Sequence, residues 1–307
     1  MRRLAAVGTL VASLALNACA QAPLAQPLRG DLAHTTRVAG AALAYCARLP
    51  LEEWTDDVRH VIVAVHGLER NACGMRRAVV AGLGAEGEDT VVVAPLFASR
   101  VDAPAGGHVW GEMVWPAGAT SSAGASSYEV LDDLVASFGD RRVSLVGFSG
   151  GAQFTNRYAA VSPVTLHSYL VLNPSTYLWF SPDRPGPTAS CPEYDHWRYG
   201  LAHRDGYAAR LSAREVQEQY AARTVRYLVG SADDDPRSGS LDRTCAAMAQ
   251  GDDREERALN YHRHLLDHLG VGTGIQHRVV VVPGVGHDAA GTLTSPEGRA
   301  ALLWGTA

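Results

Sequence analysis

The sequence contains no lysine, so all 27 of its basic residues are arginine. We interpret this absence as a bias of overall composition, because arginine and lysine differ in function only at specific contacts such as bidentate ones. Basic charge is not in excess either, since the formal net charge is −5 at pH 7. Because nucleic-acid binding needs a basic surface, the charge argues against DNA or RNA as a partner.

Internal repeats, low-complexity segments and membrane-length hydrophobic runs are also missing. The apolar run over residues 4–16 is shorter than the roughly 20 residues of a membrane span. It follows Met1-Arg2-Arg3, as in a secretory signal peptide, which we expect over residues 1–18. Residues 16–19 resemble a bacterial lipobox, which predicts attachment to a membrane through a lipidated Cys19. The alternative is cleavage at Ala18-Cys19-Ala20 and release into the periplasm or medium.

Cysteine is scarce, with five residues in the chain of 307. Apart from Cys19 there are four, and an even number in an exported protein predicts two disulfides. The spacing leaves all three possible pairings of these four open. The composition, 47% hydrophobic and 19% charged, is that of a globular protein with a sizeable core. The four cysteines that follow Cys19 are Cys46, Cys73, Cys191 and Cys245.

Short continuous apolar runs alternate with helical stretches, which predicts an α/β class fold with a mostly parallel sheet flanked by helices. We expect a polar tether over 19–38 and a single domain over 39–307. A lid-like insertion is expected at about 175–223, and 100–125 is a second long loop. The runs cover 61–65, 91–94, 143–146, 169–172, 225–229 and 279–282, and the helical stretches cover 75–83, 128–138, 152–160, 254–269 and 296–303.

The sequence "GFSGG" at 147–151 lies between one of these strands and a predicted helix. A strand, Gly-x-Ser-x-Gly and a helix form the nucleophile-elbow pattern, so Ser149 is the candidate nucleophile. A serine needs a base, and His287 follows the last predicted strand. The acid is expected after the preceding strand, where Asp233 is the first choice and Asp235 the second.

When a serine attacks an acyl carbon, negative charge develops on the carbonyl oxygen, and this oxyanion needs two hydrogen-bond donors. We expect the backbone N–H groups of Gly150 and Leu68 to supply them, with that of Gly67 as the alternative to Leu68. His66 is a pocket candidate, although a ring that braces the loop is the favoured interpretation. Four aromatic residues are candidates for an apolar substrate pocket, with ordinary core packing as the equal alternative. They are Trp110, Trp115, Tyr177 and Trp179.

No metal or organic cofactor is expected. His264 and His268 are one helical turn apart, a spacing that occurs in zinc sites. The glutamate of the HExxH motif is missing, and the neighbouring leucines favour an ordinary amphipathic helix.

Several strings together are similar to the α/β-hydrolase superfamily over residues 40–305, and within it to exported hydrolases related to poly(3-hydroxybutyrate) depolymerases. The resemblance implies a Ser149, Asp233 and His287 triad. It also implies a Cys191–Cys245 disulfide and, with it, Cys46–Cys73. No separate substrate-binding domain is visible, which argues against attack on polymers. The strings are "HGLERNA", "GFSGGAQFTNRYA", "LNPSTYLW", "CPEYDHWRYGL", "LVGSADDDP", "LDRTCAAMAQG" and "VVPGVGHD".

The sequence therefore predicts an exported serine hydrolase that cleaves carboxylic esters through an acyl-enzyme. Its expected partner is a small or oligomeric ester substrate, and the oligomeric state is not predicted. One alternative is a peptidase, amidase, thioesterase or acyltransferase with the same triad. The other is a non-catalytic binding lipoprotein of the same fold.

Overall fold

The computed structural model describes residues 33–87, 89–270 and 276–306. An eight-stranded sheet with the order β1-β2-β4-β3-β5-β6-β7-β8 forms its centre. β1 and β2 are antiparallel to their neighbours, and the other six strands are parallel. The strands are β1 (Ala33–Val38), β2 (Ala41–Cys46), β3 (His60–Val65), β4 (Thr90–Pro95), β5 (Arg142–Phe148), β6 (Ser168–Leu172), β7 (Val225–Gly230) and β8 (His277–Val282).

Helices cover both faces of the sheet, because buried parallel strands need apolar partners on each side. In β3, Val61, Val63 and Val65 pack into one core, while Ile62 and Ala64 pack into the other. The first core lies against α2, α3, α4 and α6, and the second against α1, α7 and α8. The helices are α1 (Ala72–Leu83), α2 (Ser127–Ala136), α3 (Gly150–Val161), α4 (Ala213–Ala221), α5 (Cys245–Met248), α6 (Arg254–Leu269), α7 (Ala289–Thr294) and α8 (Pro296–Thr306).

The expected α/β class is confirmed, and each of the six expected strands is present. The sequence missed β1 and β2, which pair with each other as a hairpin at the edge of the sheet. Because β1 begins at Ala33, the expected tether over 19–38 was wrong for its last six residues. Its remaining residues, the signal peptide over 1–18 and Cys19 lie outside the described residues. Within the described part of the chain, no helix is both long and apolar enough to cross a membrane.

Two disulfides join distant parts of the chain. Cys46, at the end of β2, is bonded to Cys73 in the first turn of α1. Cys191, in the insertion between β6 and β7, is bonded to Cys245 at the start of α5. These are the two pairs that the family resemblance implies.

Candidate active site

Ser149 occupies the sharp turn between β5 and α3. Its φ of +55° lies in the left-handed region that non-glycine residues rarely adopt. Its N–H donates to the Leu172 carbonyl at 2.9 Å, which holds the turn against β6. A Cβ at Gly147 would lie 2.1 Å from the Gly151 oxygen, and one at Gly151 would lie 2.2 Å from the Val65 oxygen. The two glycines are therefore required for the close approach of strand and helix.

Three of the expected residues form a continuous hydrogen-bonded chain. The Ser149 hydroxyl lies 3.0 Å from His287 Nε2, and His287 Nδ1 lies 2.7 Å from Asp233 Oδ2. A proton on Nδ1 donates to the carboxylate and leaves Nε2 free to accept from the serine. The three residues follow β5, β7 and β8, whose carboxyl ends meet at the same edge of the sheet. The Phe148 ring packs against His287 with the ring centroids 4.7 Å apart.

Asp233 is buried and held by three partners. Besides His287, it accepts from Asn173 Nδ2 at 2.9 Å, and its second oxygen pairs with Arg254 at 2.9 Å. Burial alone would raise the pKa of the Asp233 carboxyl, but its bond to His287 and the charge of Arg254 lower it below its usual value. Asp235, the second choice for the acid, is exposed and accepts from the Arg237 backbone instead. The carboxylate that contacts His287 is therefore that of Asp233.

The backbones of Leu68 and Gly150 lie close to each other, and Gly150 directly follows Ser149 in the chain. A Cβ at Gly150 would lie 3.2 Å from the Leu68 nitrogen, so the two backbones are in close contact. Within the described part of the chain, no hydrogen bond uses either N–H as the donor. Both donors are therefore available for an oxygen atom bound beside Ser149.

His66 braces the loop that carries Leu68. Its Nδ1 donates to the Gly67 carbonyl at 2.7 Å, and its Nε2 accepts from the Phe97 N–H at 3.1 Å. Burial lowers the pKa of His66 to about 4, so the ring is neutral at pH 7. The favoured interpretation of His66 agrees with these contacts, because both ring nitrogens are already used.

A cavity of about 370 Å³ opens beside Ser149 and His287. It lies between the loop that follows β3, the start of α1 and the start of α7. Its other lining residues are Gly67, Leu68, Glu69, Asn71, Gly74, Met75, Ala78, Phe148, Ser240, Asp288, Ala289 and Ala290.

None of the five expected pocket residues lines this cavity. Each is less than 5% exposed. The four large aromatic side chains pack in the core on the α3 face of the sheet. The described cavity lining also includes no residue of 100–125 or of the insertion at 175–223. The five expected pocket residues are His66, Trp110, Trp115, Tyr177 and Trp179.

The two histidines with zinc-like spacing have other partners. His264 Nε2 accepts from the Phe180 N–H at 2.9 Å, and the His264 ring packs at a tilt against Trp179. His268 lies 3.5 Å from the Asp183 carboxylate. The pair therefore bridges α6 to the insertion.

Asn173 and Arg254 are the site residues that the sequence analysis missed. Asn173 follows β6 directly, at the same sheet edge as Ser149, and it also accepts from Thr292 in α7 at 3.2 Å. Its position after a buried strand was a usable signal. Arg254 begins α6, 21 residues after Asp233, and nothing in its local sequence marks it.

Comparison with solved structures places this arrangement among known folds. A poly(aspartic acid) hydrolase from Sphingomonas sp. KT-1 is 21% identical with a TM-score of 0.64, and covers 90% of this chain and 98% of its own. The chain has the α/β-hydrolase fold. A poly(3-hydroxybutyrate) depolymerase from Bordetella parapertussis is 21% identical with a TM-score of 0.62, over 85% and 88% of the two chains.

A third structure with this fold is an S-formylglutathione hydrolase from Agrobacterium tumefaciens. It is 18% identical with a TM-score of 0.50, and covers 89% of this chain and 92% of its own. No protein-family model and no curated protein sequence matches the chain. At these identities the α/β-hydrolase fold is shared, and the reaction has to be argued from the site.

Proposed function

We propose that the chain is a serine hydrolase that cleaves carboxylic esters. The observation that carries this proposal is the chain of contacts from Ser149 through His287 to Asp233, with distances of 3.0 and 2.7 Å. A serine hydroxyl is a poor nucleophile unless a neighbouring base accepts its proton. That the three structural neighbours are hydrolases by name supports the same reaction class.

In the first half of the reaction, Ser149 Oγ attacks the ester carbonyl carbon while its proton passes to His287 Nε2. Negative charge develops on the carbonyl oxygen, and the N–H groups of Leu68 and Gly150 donate to it. The tetrahedral intermediate collapses, the carbon–oxygen bond to the alcohol breaks, and the alcohol takes the proton from His287. The acyl group then remains on Ser149.

In the second half, a water molecule attacks the acyl-enzyme and gives its proton to His287. The tetrahedral intermediate collapses to the free acid, and Ser149 recovers its proton. Asp233 keeps His287 in the tautomer that accepts at Nε2, and its charge stabilises the imidazolium in both halves. Because Asp233 is itself fixed by Asn173 and Arg254, the base is held before substrate binds.

We also propose that the chain is exported, with cleavage before Cys19 and attachment through its lipidated thiol. Two disulfides support an oxidising compartment, because cytosolic thiols are kept reduced. Mass spectrometry of the N-terminus after expression in a bacterial host tests this. A diacylated Cys19 agrees with it, and an intact residue 1 contradicts it.

A panel of substrates tests the proposed reaction. We expect wild type to hydrolyse p-nitrophenyl esters with short acyl chains faster than matched p-nitroanilide and thioester substrates. Ser149→Ala should remove this activity, while Ser122→Ala, at an exposed position outside the cavity lining, should keep it. Faster cleavage of the anilides or thioesters would contradict the ester preference and identify the chain as an amidase or a thioesterase. Ester cleavage that survives in Ser149→Ala would contradict the mechanism.

A further inference from the structure

The described lining of the cavity beside Ser149 carries acidic side chains and no arginine. Among its described lining residues, the charged groups apart from His287 are Glu69 and Asp288. The lining otherwise consists of small, apolar or uncharged residues. An ester that enters this cavity therefore meets carboxylates close to the reacting centre.

The two carboxylates differ in how far they are already neutralised. Asp288 caps α7 by accepting from the N–H groups of Ala290 and Gly291, each at 3.0 Å. Glu69 is exposed, in the loop between β3 and α1, and its carboxylate has no hydrogen bond or ion pair among the described residues. Glu69 therefore contributes the uncompensated charge.

Positive charge near the cavity comes from helix starts and from Arg70, not from a lining side chain. The starts of α1 and α7 face it, and a helix N-terminus is equivalent to about half a positive charge. The Asn71 side chain already accepts from the Gly74 N–H at the start of α1. Arg70, next to Glu69, is buried and donates to the Trp110 and Gly111 carbonyls. The formal charges on the described lining side chains are therefore those of Glu69 and Asp288, so the lining itself is negative.

We propose that this site prefers esters with a cationic group near the scissile bond, and that Glu69 determines the preference. The inference rests on the proposed ester hydrolysis. An ammonium group is attracted by Glu69 and Asp288, whereas a carboxylate of the substrate is repelled by them. Poly(aspartic acid), the substrate in the name of one structural neighbour, carries the charge that this cavity disfavours.

Matched substrate pairs test the charge preference without changing shape. One pair varies the alcohol: acetylcholine and its uncharged tert-butyl isostere. The other varies the acyl group: the p-nitrophenyl esters of γ-trimethylammoniobutyrate and of its tert-butyl isostere, with the glutarate monoester as the anion. We expect the cation to exceed its isostere in kcat/KM by about tenfold in at least one pair, and the glutarate monoester to be the slowest, as for charges several ångströms apart near a surface.

Glu69→Gln should reduce that ratio to about twofold, because it keeps the shape and removes the charge. Glu52→Gln is the matched control, since Glu52 is exposed and precedes the opposite end of β3. It should leave the ratio unchanged. Raising the salt concentration from about 10 mM to about 0.5 M should also weaken the preference, because the Debye length falls from about 30 Å to a few ångströms.

Equal kcat/KM within both pairs at low salt would overturn the inference, as would a cation preference that survives in Glu69→Gln. In either case, cleavage of the uncharged esters would leave the proposed function standing. Failure of wild type to cleave any ester of the panel would overturn the proposed function, and this inference with it.

Discussion

Four buried histidines should make the folded chain sensitive to acid. Burial is the main cause in each case, and it lowers the pKa to about 4 for His60, His66 and His277, and to about 3 for His264. Each is at most 5% exposed. In the unfolded chain a histidine titrates near 6.5. Between these values the unfolded state binds protons that the folded state does not.

The sign and size of the change in the free energy of unfolding with pH follow from proton linkage. Because the folded pKa is the lower one, stability is complete above pH 6.5 and is lost as the pH falls toward 4. At pH 5 each histidine lowers the free energy of unfolding by about 2 kcal/mol, and the four together by about 8 kcal/mol. Since domains are typically stable by about 5–15 kcal/mol, we expect unfolding at about pH 4.5–5.

Guanidinium unfolding between pH 8 and 4.5, with both disulfides intact, measures this effect. Near pH 5 the free energy of unfolding should fall by about 5 kcal/mol per pH unit, which corresponds to nearly four protons. His277→Gln should reduce that slope by about a quarter, because one titrating group is removed. Tyr227→Phe is the matched control. It removes the hydroxyl 2.9 Å from His277 Nδ1, so it should lower stability at every pH and keep the slope.

A free energy of unfolding that stays flat from pH 7 to pH 5 would refute the reasoning. So would a His277→Gln slope equal to that of wild type. Either result would mean that these rings are protonated in the folded state, or that water reaches them.

Three further predictions concern single contacts. With a p-nitrophenyl ester as substrate, Asp233→Asn should lower kcat by about 10⁴-fold, while the kcat of Asp235→Asn should stay within about threefold of wild type. Equal losses of kcat in the two variants would contradict the assignment of Asp233 as the triad acid. Arg254→Met should lower the free energy of unfolding by about 3–5 kcal/mol, because it leaves the Asp233 carboxylate buried without its cation; a change below about 1 kcal/mol contradicts this. Cys191→Ala with Cys245→Ala should cost about 4 kcal/mol for a separation of 54 residues; an unchanged melting temperature contradicts it.

The parallel strands were predictable because their patterns are local. Runs such as 61–65 and 143–146 are apolar throughout, as strands covered on both faces must be. β1 and β2 carry no such signal. β1 is half exposed at the edge of the sheet, and "AALAYC" in β2 is composed mostly of alanine and leucine, which are common in helices.

The order of strands also predicted which residues meet at the site. Ser149, Asp233 and His287 each follow a strand, and the carboxyl ends of parallel strands share one edge. Their catalytic roles stay a prediction. Arg254 was missed because its contact with Asp233 depends on where α6 begins relative to the loop after β7, which is a matter of tertiary packing.

The pocket was the least predictable part. Aromatic residues in long loops suggested a lining, but Trp115 and Tyr177 are fully buried. A large ring contributes as much to a core as to a substrate pocket, and the sequence pattern is the same in both. The cavity beside Ser149 is lined instead by the short loop before α1 and the start of α7, where small residues and Glu69 gave no apolar signal.

The central claim is that Ser149 is a nucleophile activated by His287. Reaction with a fluorophosphonate probe, followed by peptide-mapped mass spectrometry, tests it most directly. We predict a single adduct on Ser149 in wild type, no adduct in Ser149→Ala, and labelling at least about 100-fold slower in His287→Ala, as for loss of a general base. No adduct in folded wild type, or equal labelling in Ser149→Ala, would contradict the claim.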